Sequence, residues 1–178
     1  MFLRFKNKDP GVFEENLLKH VDSLYNFAYR MTQSREEAED LVQEASLRGF
    51  KAYHRFVEGT NFKAWLFTIL RNIYINDYRR RTWEPVKVHY EDVEHFVGLP
   101  DMTGAVEEVF SETLQQSMNQ MPEELRTVLT LFYVEDLSYK DIAGVMQCPV
   151  GTVMSRLFMA RQTLKQKMAR LAKKDFNL

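Results

Sequence analysis

The chain has 178 residues, 45% of them apolar, and a formal net charge of −1. That is enough apolar material for one core or two small ones and excludes a disordered polypeptide. No run approaches the roughly 20 apolar residues of a membrane span, the start MFLRFKNKDP lacks the apolar centre of a signal peptide, and Cys148, the single cysteine, leaves no intrachain disulfide or cysteine-cluster zinc site. The default expectation is a cytoplasmic protein with no membrane insertion. The charge is unevenly spread: residues 1–82 sum to +3, residues 83–122 to −7 and residues 123–178 to +3. Two mildly basic ends around an acidic middle suggest two nucleic-acid-facing modules and a linker, or simply two solvated helical domains.

In chain order, helix signals dominate. Phe13, Leu17, Val21, Leu24, Ala28 and Met31 predict one apolar stripe from about Pro10 to Met31. Ser34 to Glu37 reads as a capping box, after which Ala38, Leu41, Val42 and Ala45 repeat at helical spacing toward Tyr53. Glu39, Asp40, Gln43 and Glu44 fall outside that stripe, as an ordinary solvated face or as a docking face. HRFVEGTN, residues 54–61, breaks the pattern: Gly59 can turn the chain, and Thr60 or Asn61 can cap the next helix. A third helix is expected from Phe62 to about Arg81, burying Phe62, Leu66, Ile69 and Ile73 with Trp65 beside them. Its other side offers Thr68, Arg71, Asn72, Ile75, Asn76 and Arg79, and it ends in Arg79-Arg80-Arg81. Aromatics beside basic and amide groups suit unpaired bases. For Phe62 and Trp65 core packing is the better reading, and the arginine run also suits the negative end of a helix.

Residues 83–104 lose all periodicity and are acidic, with Pro85, Gly98, Pro100 and Gly104 as punctuation, which marks a linker. His89 and His95 lie there among Glu91, Asp92 and Glu94 and read as solvated side chains rather than metal ligands. A mobile linker leaves the flanking modules to move independently, or to close on each other only when an inhibitor binds. Helical pattern returns at Ala105, with Val106, Val109, Phe110 and Leu114 in one helix and Leu125, Val128, Leu129 and Phe132 in a second opened by Pro122.

Residues 137–168 are expected to form two helices around a tight turn. Ser138 and Asp141 start the first, Gln147-Cys148 turn the chain, and Pro149 opens the second. Val153, Leu157, Ala160, Leu164, Met168 and Leu171 form the buried stripe of the second helix. Its opposite face carries Gly151, Thr152, Ser155, Phe158, Met159 and Gln162, flanked by Arg156 and Arg161. This pattern fits a helix-turn-helix, whose second helix enters the DNA major groove; by shape alone it fits an ordinary helical hairpin equally well.

The residues themselves go further. DLSYKDIA followed by CPVGTVMSRLFMAR resembles the promoter-binding end of bacterial RNA polymerase sigma factors, closest to the compact extracytoplasmic-function class of the sigma-70 family. DLVQEA is similar to the family's segment that docks on the clamp helices of the polymerase's largest subunit, and FKAWLFTILRNIYINDYRRR resembles the part that reads the minus-ten promoter element. The resemblance spans about Val12 to Lys174. It implies an all-α protein of two small helical domains joined by a flexible linker: residues 10–82, a linker at 83–104, and a helix-turn-helix domain at 105–178. It implies core polymerase, through the clamp helices and the flap region, and promoter DNA as partners, with an anti-sigma protein as inhibitor.

Carried over residue by residue, the resemblance assigns Asp40, Leu41, Gln43 and Glu44 to polymerase binding. The minus-ten set is the loop Phe56, Val57, Glu58, Gly59, Thr60 and Asn61, with Asn72 as the base-contacting asparagine, then Asn76, Arg79 and Arg80. The minus-thirty-five set is Thr152, Met154, Ser155, Arg156, Phe158, Met159, Arg161, Gln162 and Lys165. Many relatives have arginine where this chain has Met154 and Met159, so guanine contacts at those positions give way to packing on thymine methyls. No metal-ligand cluster, nucleophile–base pair or Gly-rich phosphate loop is visible, so no catalysis and no cofactor are expected. The competing reading is a stand-alone helix-turn-helix regulator with a sensing N-terminal domain.

Overall fold

The structure, a computed structural model, describes residues 9–81, 114 and 116–175, with side chains through 76 and through 170. The linker at 83–104, including His89 and His95, and most of the helix expected from Ala105 lie outside the described residues. The described residues contain helices and turns and no strand.

The first module has four α-helices among the described residues, α1 (Pro10–Leu18), α2 (Val21–Thr32), α3 (Arg35–Ala52) and α4 (Phe62–Arg81), with a 3-10 turn at Tyr53–Arg55 after α3. The stripe expected as a single helix is broken between α1 and α2 at Lys19 and His20. The apolar spacing runs straight through the break, and no Gly or Pro marks it. The other boundaries follow their caps. Asp9 Oδ1 accepts from the Gly11 N–H at 2.9 Å, Ser34 Oγ from the Glu37 N–H at 3.4 Å, and Asn61 Oδ1 from the Ala64 N–H at 3.1 Å. Each satisfies a helix-start donor that would otherwise be orphaned. Gln33 takes the left-handed conformation, φ 56°, that ends α2.

Phe13, Leu24, Phe27, Leu66, Phe67 and Leu70 fill the centre of this module and are essentially inaccessible. Phe27 and Phe67 meet edge to face at 4.8 Å. Phe67 and Leu70 lie beyond the expected stripe of α4, because that helix is covered on more than one side. Tyr53, Phe56, Phe62 and Trp65 form an aromatic cluster with centroid spacings of 5.2 to 6.5 Å, which anchors the start of the 56–61 loop.

The second module is built on α5 (Glu123–Leu129), α6 (Tyr139–Met146) and α7 (Val150–Asp175). At Thr130–Val134 α5 widens into a π turn, in which the Glu135 N–H reaches back five residues to the Thr130 carbonyl at 3.0 Å. The added residue puts Tyr133 and Val134 outward and leaves Glu135 buried. Ser138 caps α6, accepting from the Asp141 N–H at 3.1 Å. Gln147, φ 51°, ends α6, and the Pro149 carbonyl accepts the first α7 bonds from Thr152 and Val153. α6 and α7 meet at 97°, within the usual range of a helix-turn-helix. Ile142, Val145, Val153, Leu157 and Ala160 are buried between them and α5.

The two modules are in direct contact, α6 lying against α4. A set of polar and ionic bonds crosses the joint, led by the pair of Lys63 with Glu135.

Candidate nucleic-acid and polymerase interfaces

α7 presents its outer face as its periodicity requires. Gly151, Met154 and Ser155 are exposed, with Met154 at 54%, while Thr152, Phe158, Met159 and Gln162 are half-buried. Met159 and Leu164 pack partly against the core. Gly151, Met154 and Ser155 are the outward groups at the leading end of α7. The flanking arginines are engaged by the protein. Arg156 Nη2 pairs with Glu124 Oε2 at 2.6 Å and its Nη1 lies 3.6 Å from Cys148 Sγ, with the arginine side chain only 14% exposed. Arg161 donates from Nε to Tyr133 Oη at 2.8 Å, with its guanidinium over the Phe132 and Tyr133 rings, but the residue as a whole is exposed. Lys165 is exposed on the next turn.

On α3, Asp40 and Gln43 are exposed and Glu44 is half-buried, pairing with Arg48 at 2.6 Å. Leu41 is 6% exposed and belongs to the core, so it holds this helix in place rather than offering itself at the surface. Leu47 and Phe50, which the sequence reading did not single out, continue the outer face of α3 with 48% and 46% exposure.

The 56–61 loop divides in two. Phe56 is half-buried in the aromatic cluster, and Val57 through Asn61 are exposed. Thr60 Oγ1 donates to the Val57 carbonyl at 2.6 Å, and Gly59 takes φ +85°, which closes the loop tightly. Asn72 is half-buried on α4 and Asn76, one turn on, is exposed; the side chains of Arg79 and Arg80 lie outside the described residues.

Three polar contacts tie this face to the second module. Lys63 Nζ pairs with Glu135 Oε2 at 2.8 Å and donates to the Glu135 carbonyl at 3.1 Å. Asn61 Nδ2 donates to Asp141 Oδ2 at 3.2 Å, and Gln147 Nε2 donates to Asn72 Oδ1 at 3.1 Å. Alongside, burial pushes the Arg71 guanidinium below its ordinary range while the charges of Glu123 and Glu124 oppose that shift. Burial likewise raises Glu123, against the pull of Arg71. The sequence reading names Asp141 only as a helix start and Gln147 only as part of a turn, and does not single out Lys63 or Glu135. Two signals were available: a lysine in the first turn of α4, where the helix dipole disfavours it, and a glutamate inside the apolar run LFYVEDL.

Among the described residues, no group of three or more His, Cys, Asp or Glu is placed to hold a metal ion, and no single helix is long and apolar enough to cross a membrane.

Comparison with known proteins agrees with this layout. The family model for sigma-70 region 2 matches residues 17–84, which contain α2 to α4, and the model for sigma-70 region 4 matches residues 111–164, which contain the helix-turn-helix. The RNA polymerase sigma-H factor of Pseudomonas aeruginosa is 36% identical over 90% of this chain and 88% of its own. The extracytoplasmic-function (ECF) RNA polymerase sigma factor EcfG of Rhodopseudomonas palustris is 35% identical over 84% of this chain and 81% of its own. Among solved structures, the sigma factor RpoE of Bartonella quintana, in complex with the anti-sigma factor NepR, superposes with a TM-score of 0.68 at 29% identity, covering 88% of this chain and 96% of that one. A stand-alone regulator has no region 2, so the N-terminal match sets that alternative aside. The chain belongs to the sigma-70 family, in its extracytoplasmic-function class, and directs promoter-specific transcription initiation by core RNA polymerase.

Proposed function

We propose that the first module, with its outer α3 face, engages the polymerase clamp and, with α4 and the 56–61 loop, takes the non-template strand of the minus-ten element, while α7 reads the minus-thirty-five element in the major groove. The observation that carries this reading is the grouping of Asn61 and Asn72 on one face of the module, beside an exposed loop rooted in an aromatic cluster. Unstacking a base costs a few kcal/mol, which edge hydrogen bonds and stacking must offset. An amide both donates and accepts, so Asn72 suits a base edge. Asp40, Gln43 and Glu44 form the acidic and amide part of the clamp-facing surface, with Leu41 beneath them.

On α7, Met154 and Ser155 meet base edges and Met154 packs on a thymine methyl. Phosphate contacts fall to Arg161 and Lys165, since Arg156 is held by Glu124. The free protein resides in the cytoplasm, and an anti-sigma protein such as the one in the Bartonella complex keeps it inactive. The reading is tested by heparin-resistant open-complex formation with core polymerase on a matched pair of templates, one fully duplex and one melted at the minus-ten element. Wild type is expected to open both. A chain that binds core polymerase but opens neither contradicts the assignment.

A further inference from the structure

Arg161 is held by a tyrosine that the core does not need. Its Nε donates to Tyr133 Oη at 2.8 Å, and its guanidinium lies 5.5 Å from the Tyr133 ring centre and 5.7 Å from that of Phe132. Arg161 stays exposed, and this bond uses Nε alone, leaving the donors of both Nη groups outside it. A phenol that accepts one bond still has its O–H proton to donate. Tyr133 is 53% exposed; the neighbouring Phe132 is the ring that packs inward, stacked on Tyr139 at 5.2 Å. The π turn at Thr130–Val134 is what brings Tyr133 outward, and turns of this kind recur at functional sites. Arg161 lies two turns along α7 from exposed Met154 and one turn before exposed Lys165, at the edge of the proposed reading face.

We infer that Tyr133 and Arg161 form a single binding site for one DNA backbone phosphate at the edge of the major groove. Arg161 supplies the charge and the two-pronged Nη donor set that matches a phosphate. Tyr133 is its positioning residue and adds its own hydroxyl as a further donor. Stacking against two rings fixes the arginine before DNA arrives, so less freedom is lost on contact. An arginine without that support would have to be ordered at the moment of binding. The site rests on the proposed seating of α7 in the groove, which it deepens by adding a residue from the π turn, outside the helix-turn-helix. A phosphate carries no sequence information, so the pair contributes affinity and register and no base preference.

The test is a double-mutant cycle on the full chain. The probe is a fluorescent duplex carrying a site selected with wild type, titrated across a salt series. Tyr133→Phe keeps the ring and loses the hydroxyl, Tyr133→Leu loses both, and each is made alone and together with Arg161→Ala. Because Tyr133 is exposed, helicity and melting are expected to stay as in wild type. Tyr133→Phe is expected to weaken binding about fivefold, the range of one neutral hydrogen bond, at an unchanged salt slope, since the lost donor is uncharged. Tyr133→Leu is expected to weaken it further and to lower the slope toward that of Arg161→Ala. With Arg161→Ala already present, either substitution is expected to cost less than about twofold, the mark of two residues acting as one. Losses as large with Arg161→Ala as without it, or a shifted sequence preference in the Tyr133 variants, would overturn the shared site. If Arg161→Ala leaves affinity and slope unchanged, the seating of α7 fails and this site with it. If Arg161→Ala lowers the slope while both Tyr133 variants bind as wild type, the seating of α7 stands and the shared site is overturned.

Discussion

Arg156 separates a DNA contact from a structural one. The helical wheel puts it beside the reading face of α7, whereas in the structure it pairs with Glu124 and is largely buried. A hydrogen bond between charged groups contributes about 1.5–3 kcal/mol. Glu124 is 40% exposed, which screens the pair, and Arg156 Nε is buried without a partner, a cost that truncation relieves. Arg156→Ala is therefore expected to destabilise the second module by about 1.5 kcal/mol, which lowers its melting temperature by roughly 6–12 °C for a domain of this size. Duplex binding, measured across a salt series on a site selected with the wild-type chain, is expected to weaken with no change in the slope of log K against log salt. Arg161→Ala is expected to lower that slope by roughly 0.9, the value for one lost phosphate contact. A slope reduced by roughly 0.9 in Arg156→Ala, with melting unchanged, would refute the assignment of Arg156 to the fold.

Asn72→Ala is expected to slow open-complex formation on a duplex promoter more than on one melted at the minus-ten element; equal loss on both would point to a folding defect. Asp40→Lys with Glu44→Lys reverses two charges one turn apart and is expected to weaken core polymerase binding at an unchanged circular dichroism spectrum, so a pull-down equal to wild type would count against the clamp face. Gly49→Ala places a methyl 3.1 Å from Leu66 Cδ2 and 3.3 Å from Phe13 Cζ, both in fully buried side chains that cannot swing into solvent. The overpacking, about 1–3 kcal/mol, outweighs the roughly 1 kcal/mol gained in helix propensity, so the urea midpoint is expected to fall, and a rise would show that Leu66 and Phe13 yield.

What was legible in the sequence was local. Ser34, Asn61 and Ser138 cap the helices that their spacing announces, and Phe62–Arg81 starts and ends where periodicity puts it. The break at Lys19 and His20 was hidden because no residue there disfavours a helix and the apolar spacing continues. The π turn at Thr130–Val134 was hidden because widening a helix by one residue leaves no compositional mark. Single residues can stand out in the sequence, as Lys63 and Glu135 do, but which distant residue each one pairs with is not written there. A wheel gives Arg156 an azimuth but does not reveal Glu124 on another helix, and Lys63 and Glu135, 72 residues apart, meet only once both modules have folded. The motif residues of the candidate sites were found through resemblance, since nothing in their own periodicity distinguishes a solvated face from a docking one.

Promoter choice conferred on core polymerase is the property from which all the site assignments draw their meaning, and run-off transcription reads it out. Core RNA polymerase, with and without the full chain, is given linear fragments covering the source genome. Discrete run-off products are expected that depend on the chain, share a minus-ten and a minus-thirty-five element, and weaken on duplex templates with Asn72→Ala. Products that are the same with and without the chain, or no product on any fragment despite stable binding to core polymerase, would contradict promoter selection by this chain.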